Sequence, residues 1–146
     1  IQALVVPSSF GNPRRVSNGV EYNRAMLLLA VLEKRGGLLL GNCDAYLNVI
    51  GGLSLDEPAA DLAAMLALAS SFRDKPVPSD LAAIGEVGLT GELRAVSNLG
   101  QRLSEVRRLG FTKCLIPKRI QGKLAAPEGL ELIRVANIRE ALAALL

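Results

Sequence analysis

The stretch Asp56-Glu57-Pro58-Ala59-Ala60-Asp61 decides how this chain is read. It carries the start signals of a helix running to about Phe72. Asp56 can accept backbone N–H bonds as the N-cap, Pro58 suits a first turn, and Glu57 and Asp61 favour the positive helix end. The body of that helix, Leu62-Ala63-Ala64-Met65-Leu66-Ala67-Leu68-Ala69, is apolar on every side. A helix hydrophobic all round is normally buried, so its N-terminus is expected inside the fold beside a cleft. Such a terminus suits a nucleophile or an anion. The side chain at its centre is the methyl of Ala59, which offers no nucleophile.

Outward from this helix, helical and extended patterns alternate. Before it, Ala3–Pro7 reads as a strand, Ser8–Asn12 as a loop and Pro13–Val16 as an exposed basic segment. Asn18 or Ser17 can cap a helix over Gly19–Arg35, which Gly36-Gly37 stop. Leu38-Leu39-Leu40 and Ala45–Ile50 read as two strands joined by a polar turn. After it, Lys75-Pro76-Val77-Pro78 is a rigid linker, and Leu81–Val87 turns through Leu89-Thr90-Gly91 into Glu92–Val96 as a hairpin. Leu99, Leu103, Val106 and Leu109 recur at helical spacing, with Arg102 at the border of the apolar stripe. Thr112–Pro117 and Leu130–Val135 are strands around a polar loop, and Asn137 caps a last helix with Ile138, Ala141, Leu142 and Leu145 inward. Mixed elements of this kind imply an α+β (mixed α/β) fold in a single compact domain over residues 1–146.

Composition narrows the chemistry. Half of the 146 residues are hydrophobic, yet two tyrosines and three phenylalanines are the aromatic content, so Leu, Ala and Val must fill the core. No apolar run reaches the length of a membrane span. Ile1 reads as the middle of a strand, which is expected of a piece cut from a longer chain. Cys43 and Cys114 lack metal-ligand spacing and read as reduced thiols of a cytoplasmic protein. There is no histidine, which removes a Ser-His-Asp triad and any His-bearing metal site. Gly122-Lys123 is followed by Leu124, so no phosphate-binding P-loop is present. A serine–lysine dyad remains open, with nine serines and five lysines available. The net charge of +3 permits nucleic-acid binding without requiring it.

From Ala45 onward, the order of strand, helix opening at Asp56–Asp61, Gly85–Leu93 hairpin, Leu99–Gly110 helix and Phe111–Pro117 strand resembles the proteolytic domain of Lon proteases, a ribosomal protein S5 domain 2-like fold. In that family the helix opens with G-P-S-A-G, whose serine is the nucleophile, and the hairpin-and-helix segment supplies a catalytic lysine. Matching motif to motif places the nucleophile at Ala59 and the lysine at Arg102. Arginine stays protonated and cannot serve as a neutral base. Glu57 and Asp61 stand at the motif's two glycines, where carboxylates oppose a developing oxyanion. Ile84 stands where the family has a polar threonine. The resemblance therefore implies a Lon fold without Lon chemistry, with no catalytic residue.

The N-terminal half narrows the resemblance. Asn12–Val16, Gly19–Arg24 leading into Leu27–Lys34, Asn48–Gly52, Ala60–Ala63 and Gly85–Leu89 resemble the C-terminal domain of the RadA (Sms) family of bacterial DNA-repair proteins. This resemblance implies a DNA-binding and ring-forming accessory domain, proteolytically inactive, in a recombination and branch-migration ATPase. It implies a homohexameric ring as self-partner, duplex or branched DNA held by its backbone, the protein's own ATPase domain and RecA as partners, no membrane and a cytoplasmic location. ATP, magnesium and zinc belong to the family's N-terminal parts, so no cofactor and no metal is expected in this domain.

Two basic groups are candidates for DNA. Arg14, Arg15 and Arg24 form the first; Arg24 falls in the first turns of a helix, where the dipole disfavours a cation and calls for a partner carboxylate or phosphate. Arg107, Arg108, Lys113, Lys118 and Arg119 form the second, and if clustered would hold phosphates without reading sequence. A solvated basic face remains the alternative for both. Arg102 can instead pair with Asp61 or Glu57 and plug the cleft. Two other function classes stay open: an assembly scaffold without DNA contact, and a cryptic peptidase using Ser97 or Ser54.

Overall fold

The computed structural model describes residues 1–9 and 11–145; Phe10, in the loop expected over Ser8–Asn12, and Leu146 lie outside them. The chain runs β1 (Gln2–Pro7), β2 (Arg15–Asn18), α1 (Tyr22–Lys34), β3 (Cys43–Asn48), α2 (Asp61–Arg73), β4 (Leu81–Ala83), β5 (Glu86–Val87), β6 (Leu93–Arg94), α3 (Leu99–Arg108), β7 (Lys113–Pro117), β8 (Glu131–Val135) and α4 (Ile138–Leu145). Single 3₁₀ turns at Ile50–Gly52 and Pro58–Ala60 lead into α2. The mixed α/β class expected from the sequence is the one observed.

Two three-stranded sheets flank the central helix. One has the order β1-β3-β2, with β1 antiparallel and β2 parallel to β3. The other, β4-β7-β8, is parallel throughout. The ribbon β5-β6 is the expected hairpin. Helix α2 packs against β1, α1 and β5 and buries Leu62, Ala64, Met65, Leu66, Leu68 and Ala69, so it has no solvent side wide enough for polar residues. A second, smaller apolar cluster joins Ala59 and Ile84 to Leu99 and Leu103 of α3 and Cys114 and Ile116 of β7.

Several expectations are corrected. The segment read as exposed and basic over Pro13–Val16 is partly a strand: from Arg15 it adds β2 to β3, with Val16 opposite Tyr46. Asn18 and Ser17 therefore cap nothing. Glu21 is the N-cap of α1, accepting from Asn23 N at 3.0 Å and Arg24 N at 2.9 Å. The turn between β2 and α1 needs glycine, since Gly19 has φ +91° and a Cβ there would lie 2.5 Å from the Leu53 carbonyl oxygen.

Leu38-Leu39-Leu40 forms no strand. Leu38 and Leu40 are buried while Leu39 is 81% exposed, the alternation of an extended chain. Both edges of β3 are already taken by β1 and β2, so this segment finds no ladder there. The expected strand Leu81–Val87 breaks at Ile84-Gly85. Gly85 N donates to Ala59 O at 2.9 Å, and Leu62 N donates to Gly85 O at 3.1 Å, so the start of α2 takes the hydrogen bonds a continuous strand would have used. Leu109 is 60% exposed, because α3 ends at Arg108 and the helical periodicity ends with it. Asn137 does cap α4, its Oδ1 accepting from Glu140 N at 2.8 Å.

Candidate functional site at the head of the central helix

The cleft expected at the start of α2 is present, and charge pairs line it. Asp56 is not the cap. Glu57 begins the 3₁₀ turn Pro58–Ala60, its carboxylate accepting from Ala59 N at 3.4 Å. Ala59 points its methyl into the smaller apolar cluster and is buried. Arg102, from the first turn of α3, reaches across: Nη2 donates to Glu57 Oε1 at 2.8 Å and Nε to Ser97 O at 2.8 Å. Ala59 and Arg102 line one pocket of about 460 Å³, with Leu55, Ile84 and Val106 as its apolar walls. The two positions matched to a catalytic dyad thus face the same space, and neither brings a nucleophile or a neutral base to it.

Asp61, in the first turn of α2, is 4% exposed and fully committed. Its Oδ1 accepts from Arg24 Nε at 3.0 Å, its Oδ2 from Val87 N at 3.1 Å, and Arg24 Nη2 donates to Oδ2 as well. Arg24 Nη2 also reaches Val87 O at 3.3 Å. The hydrogen bond to Asp61 raises the guanidinium pKa further above its ordinary value. The cation near the unfavourable end of α1 is therefore balanced by a carboxylate of the same chain. A second pocket of about 240 Å³, bounded by Arg24, Asp56, Glu57, Asp61, Val20 and Leu28, lies beside this pair. Carboxylates at 56, 57 and 61 stand at the helix head, and two of them are balanced there by the guanidinium groups of Arg102 and Arg24.

The other basic candidates lie apart. Arg14 is exposed, and its backbone N–H is held by Asp44 Oδ1 at 2.7 Å. Arg15 is half-buried, with Nη2 on Leu40 O at 2.8 Å. On α3, Arg107 Nε donates to Glu128 O at 3.1 Å and Arg108 Nε to Glu105 Oε2 at 2.8 Å. Lys113 is exposed on β7. Lys118 and Arg119, just beyond β7, share a groove of about 600 Å³ with Arg94 of β6. Arg94 is absent from the candidates read in the sequence, although strand alternation over Glu92-Leu93-Arg94 puts Glu92 and Arg94 on one face. No helix among the described residues is long and apolar enough to cross a membrane. Among the described residues, no group of three or more acidic, cysteine or histidine side chains could hold a metal ion.

The profile of the Lon protease (S16) C-terminal proteolytic domain matches residues 43–146. The chain belongs to the Lon C-terminal domain family. Among curated proteins it is 56% identical to the DNA repair protein RadA of Bacillus subtilis over 142 residues, 97% of this chain and 31% of that protein. The DNA repair protein RadA of Streptococcus pneumoniae is 50% identical, over 97% of this chain and 34% of its own length. That of Listeria monocytogenes is 51% identical, over 97% and 31%. The chain spans about a third of the length of these relatives. Both resemblances read from the sequence are borne out.

Proposed function

We propose that this Lon-family domain is proteolytically silent and serves a DNA-repair protein of the RadA type as a DNA-binding, ring-forming module. One observation carries the silent part: Ala59 and the Glu57–Arg102 ion pair occupy the pocket where this family's nucleophile and lysine are expected. Support for the DNA-repair part comes from relatives named DNA repair protein RadA across 97% of the chain. DNA is gripped through its phosphates, because the chain's few aromatics leave little for base stacking. Self-association into a homohexamer, a bacterial cytoplasmic location, and coupling to an ATPase domain and to RecA complete the proposal. ATP, magnesium and zinc act elsewhere in the full-length protein.

The scaffold reading has one observation in its favour. Arg15, Arg24, Arg107 and Arg108 each have an intramolecular partner, which reduces their freedom to meet a phosphate. Duplex binding by the purified chain at two salt concentrations, beside its mass in solution, separates the two. Salt-sensitive binding by a multimer supports the DNA-binding module. A multimer indifferent to DNA leaves the scaffold.

A further inference from the structure

Helix α2 is apolar on every side, yet one stripe of it is left half-open. From Asp61 to Ala69, Ala63 and Ala67 are the residues not fully buried, and their spacing puts them on one face. That face borders a groove of about 390 Å³, and every described residue lining the groove is apolar. Ile1 lines it, as do Leu81, Ala82 and Ala83 of β4 and the ring of Phe111. Successive residues of a strand point to opposite faces. A hollow touched by three in a row therefore runs along the edge of β4 and not over one face of it.

That edge is open. Among the described strands β4 pairs with β7 alone. Lys113 N donates to Asp80 O at 3.1 Å and Ile84 N to Leu115 O at 2.9 Å, so residues 80 and 84 turn toward β7. In a parallel ladder Leu81 and Ala83 then turn their peptide groups the other way, toward the groove. Leu81 N donates to Pro78 O at 3.2 Å, which leaves the Leu81 carbonyl and both peptide groups of Ala83 facing a side without a strand. Leu81-Ala82-Ala83 carries none of the charges or prolines that guard exposed edges. At β1, by contrast, α2 already holds the edge, where Val5 N donates to Ser71 Oγ at 2.8 Å.

This groove fits an extended segment. Its backbone would pair with Leu81 and Ala83, and apolar side chains on alternate residues would cover Ala63 and Ala67. A helix would fill the volume and leave the β4 peptide groups unpaired. The chain spans about a third of the length of its RadA relatives, so a protein of that length has much more chain to place. Ile1 stands in the groove wall, and residues joined to it start at the groove. A tethered segment meets such a site at an effective concentration on the order of millimolar, an advantage that a free partner lacks.

We infer that the segment joined to Ile1 in the full-length protein lies extended in this groove, adds a strand to the open edge of β4 and covers Ala63 and Ala67 of α2. This rests on the RadA-type reading only in taking the chain as part of a longer protein, and it asks nothing of DNA.

The test uses the full-length protein. Phe111→p-benzoylphenylalanine places a photo-crosslinker in the groove with little change of shape, and illumination is expected to join position 111 to the segment next to Ile1 within one subunit. Ala67→Cys is then treated with a thiol reagent, with that segment intact or replaced by a Gly-Ser repeat of equal length, and urea midpoints verify the fold. The thiol at position 67 is expected to react at least about tenfold more slowly with the segment intact. Equal rates would show an open groove and overturn the proposal. A crosslink to a second subunit or to a distant part of the chain overturns this occupant, and it does so even if the Gly-Ser variant fails to fold. Duplex binding is measured separately, so either result leaves the DNA-binding reading to its own test.

Discussion

Arg24 of α1 holds Asp61 of α2 by both oxygens of a carboxylate that is 4% exposed, and the same carboxylate takes the backbone N–H of Val87 in β5. Three elements distant in sequence meet at that carboxylate.

Removing one partner of this pair leaves a buried charge without its counter-ion. Arg24→Met is expected to cost about 3 kcal/mol, the lower part of the range for buried pairs because Arg24 is itself one-third exposed. Arg24→Met/Asp61→Leu should be less damaging than the sum of the two single changes, since no orphan charge remains. Urea unfolding of the four proteins measures the coupling. Strict additivity would mean that the pair does not hold the junction.

Restoring the family's two catalytic side chains is not expected to restore chemistry. Ala59→Ser/Arg102→Lys retains Glu57 and Asp61 at the helix head and Ile84 in the wall. The new hydroxyl also enters an apolar cluster, at a cost of about 1–3 kcal/mol if unpaired. A fluorophosphonate probe should leave this variant unlabelled, as it should the parent. Labelling at position 59 would show that the carboxylates do not silence the site. Labelling of the parent at Ser97 or Ser54 would revive a peptidase.

The core and the linker after α1 should respond oppositely to the loss of a leucine. Leu68 is fully buried in α2, and Leu68→Ala is expected to cost about 2–5 kcal/mol. Leu39 is 81% exposed despite lying in a run of three leucines, and Leu39→Ala should stay within about 0.5 kcal/mol of the parent. Thermal or urea midpoints decide it, and a large loss at Leu39 would contradict the extended, outward-facing linker.

Alkaline stability should depend on Cys114. Burial in β7 pushes its thiol up to about 12 from an ordinary 9.0. Between those values the unfolded chain releases a proton that the native chain keeps. The native state's advantage is complete below pH 9.0 and is lost as pH rises toward about 12. Cys114→Ala should flatten the fall in stability across that window. In the native protein at pH 8, a thiol reagent should modify the partly exposed Cys43 and should reach the buried Cys114 only after unfolding. Equal rates would contradict the buried placement.

Elements with strong local signals were legible. The apolar girth of α2, the stripe of α3, the Leu89-Thr90-Gly91 turn and the Asn137 cap each depend on neighbours within a few residues, where periodicity and capping chemistry act. That position 59 carries no nucleophile was legible too, because residue type alone decides it. What the sequence left open was partner choice. Arg15–Asn18 becomes a strand and Leu38–Leu40 does not because of which edges of β3 are free. Glu57 pairs with Arg102 and Asp61 with Arg24, a pairing that two arginines and three acids left undecided until α1, α2 and α3 were set around one helix head. Arg94 joins Lys118 and Arg119 because β6 ends beside the end of β7, 24 and 25 residues away in the chain. Local composition and spacing thus determined the class, the helices and the absent nucleophile. The charge pairs and the meeting of Arg94 with Lys118 and Arg119 were decided by tertiary structure, because electrostatic partners are selected by distance in space and not along the chain.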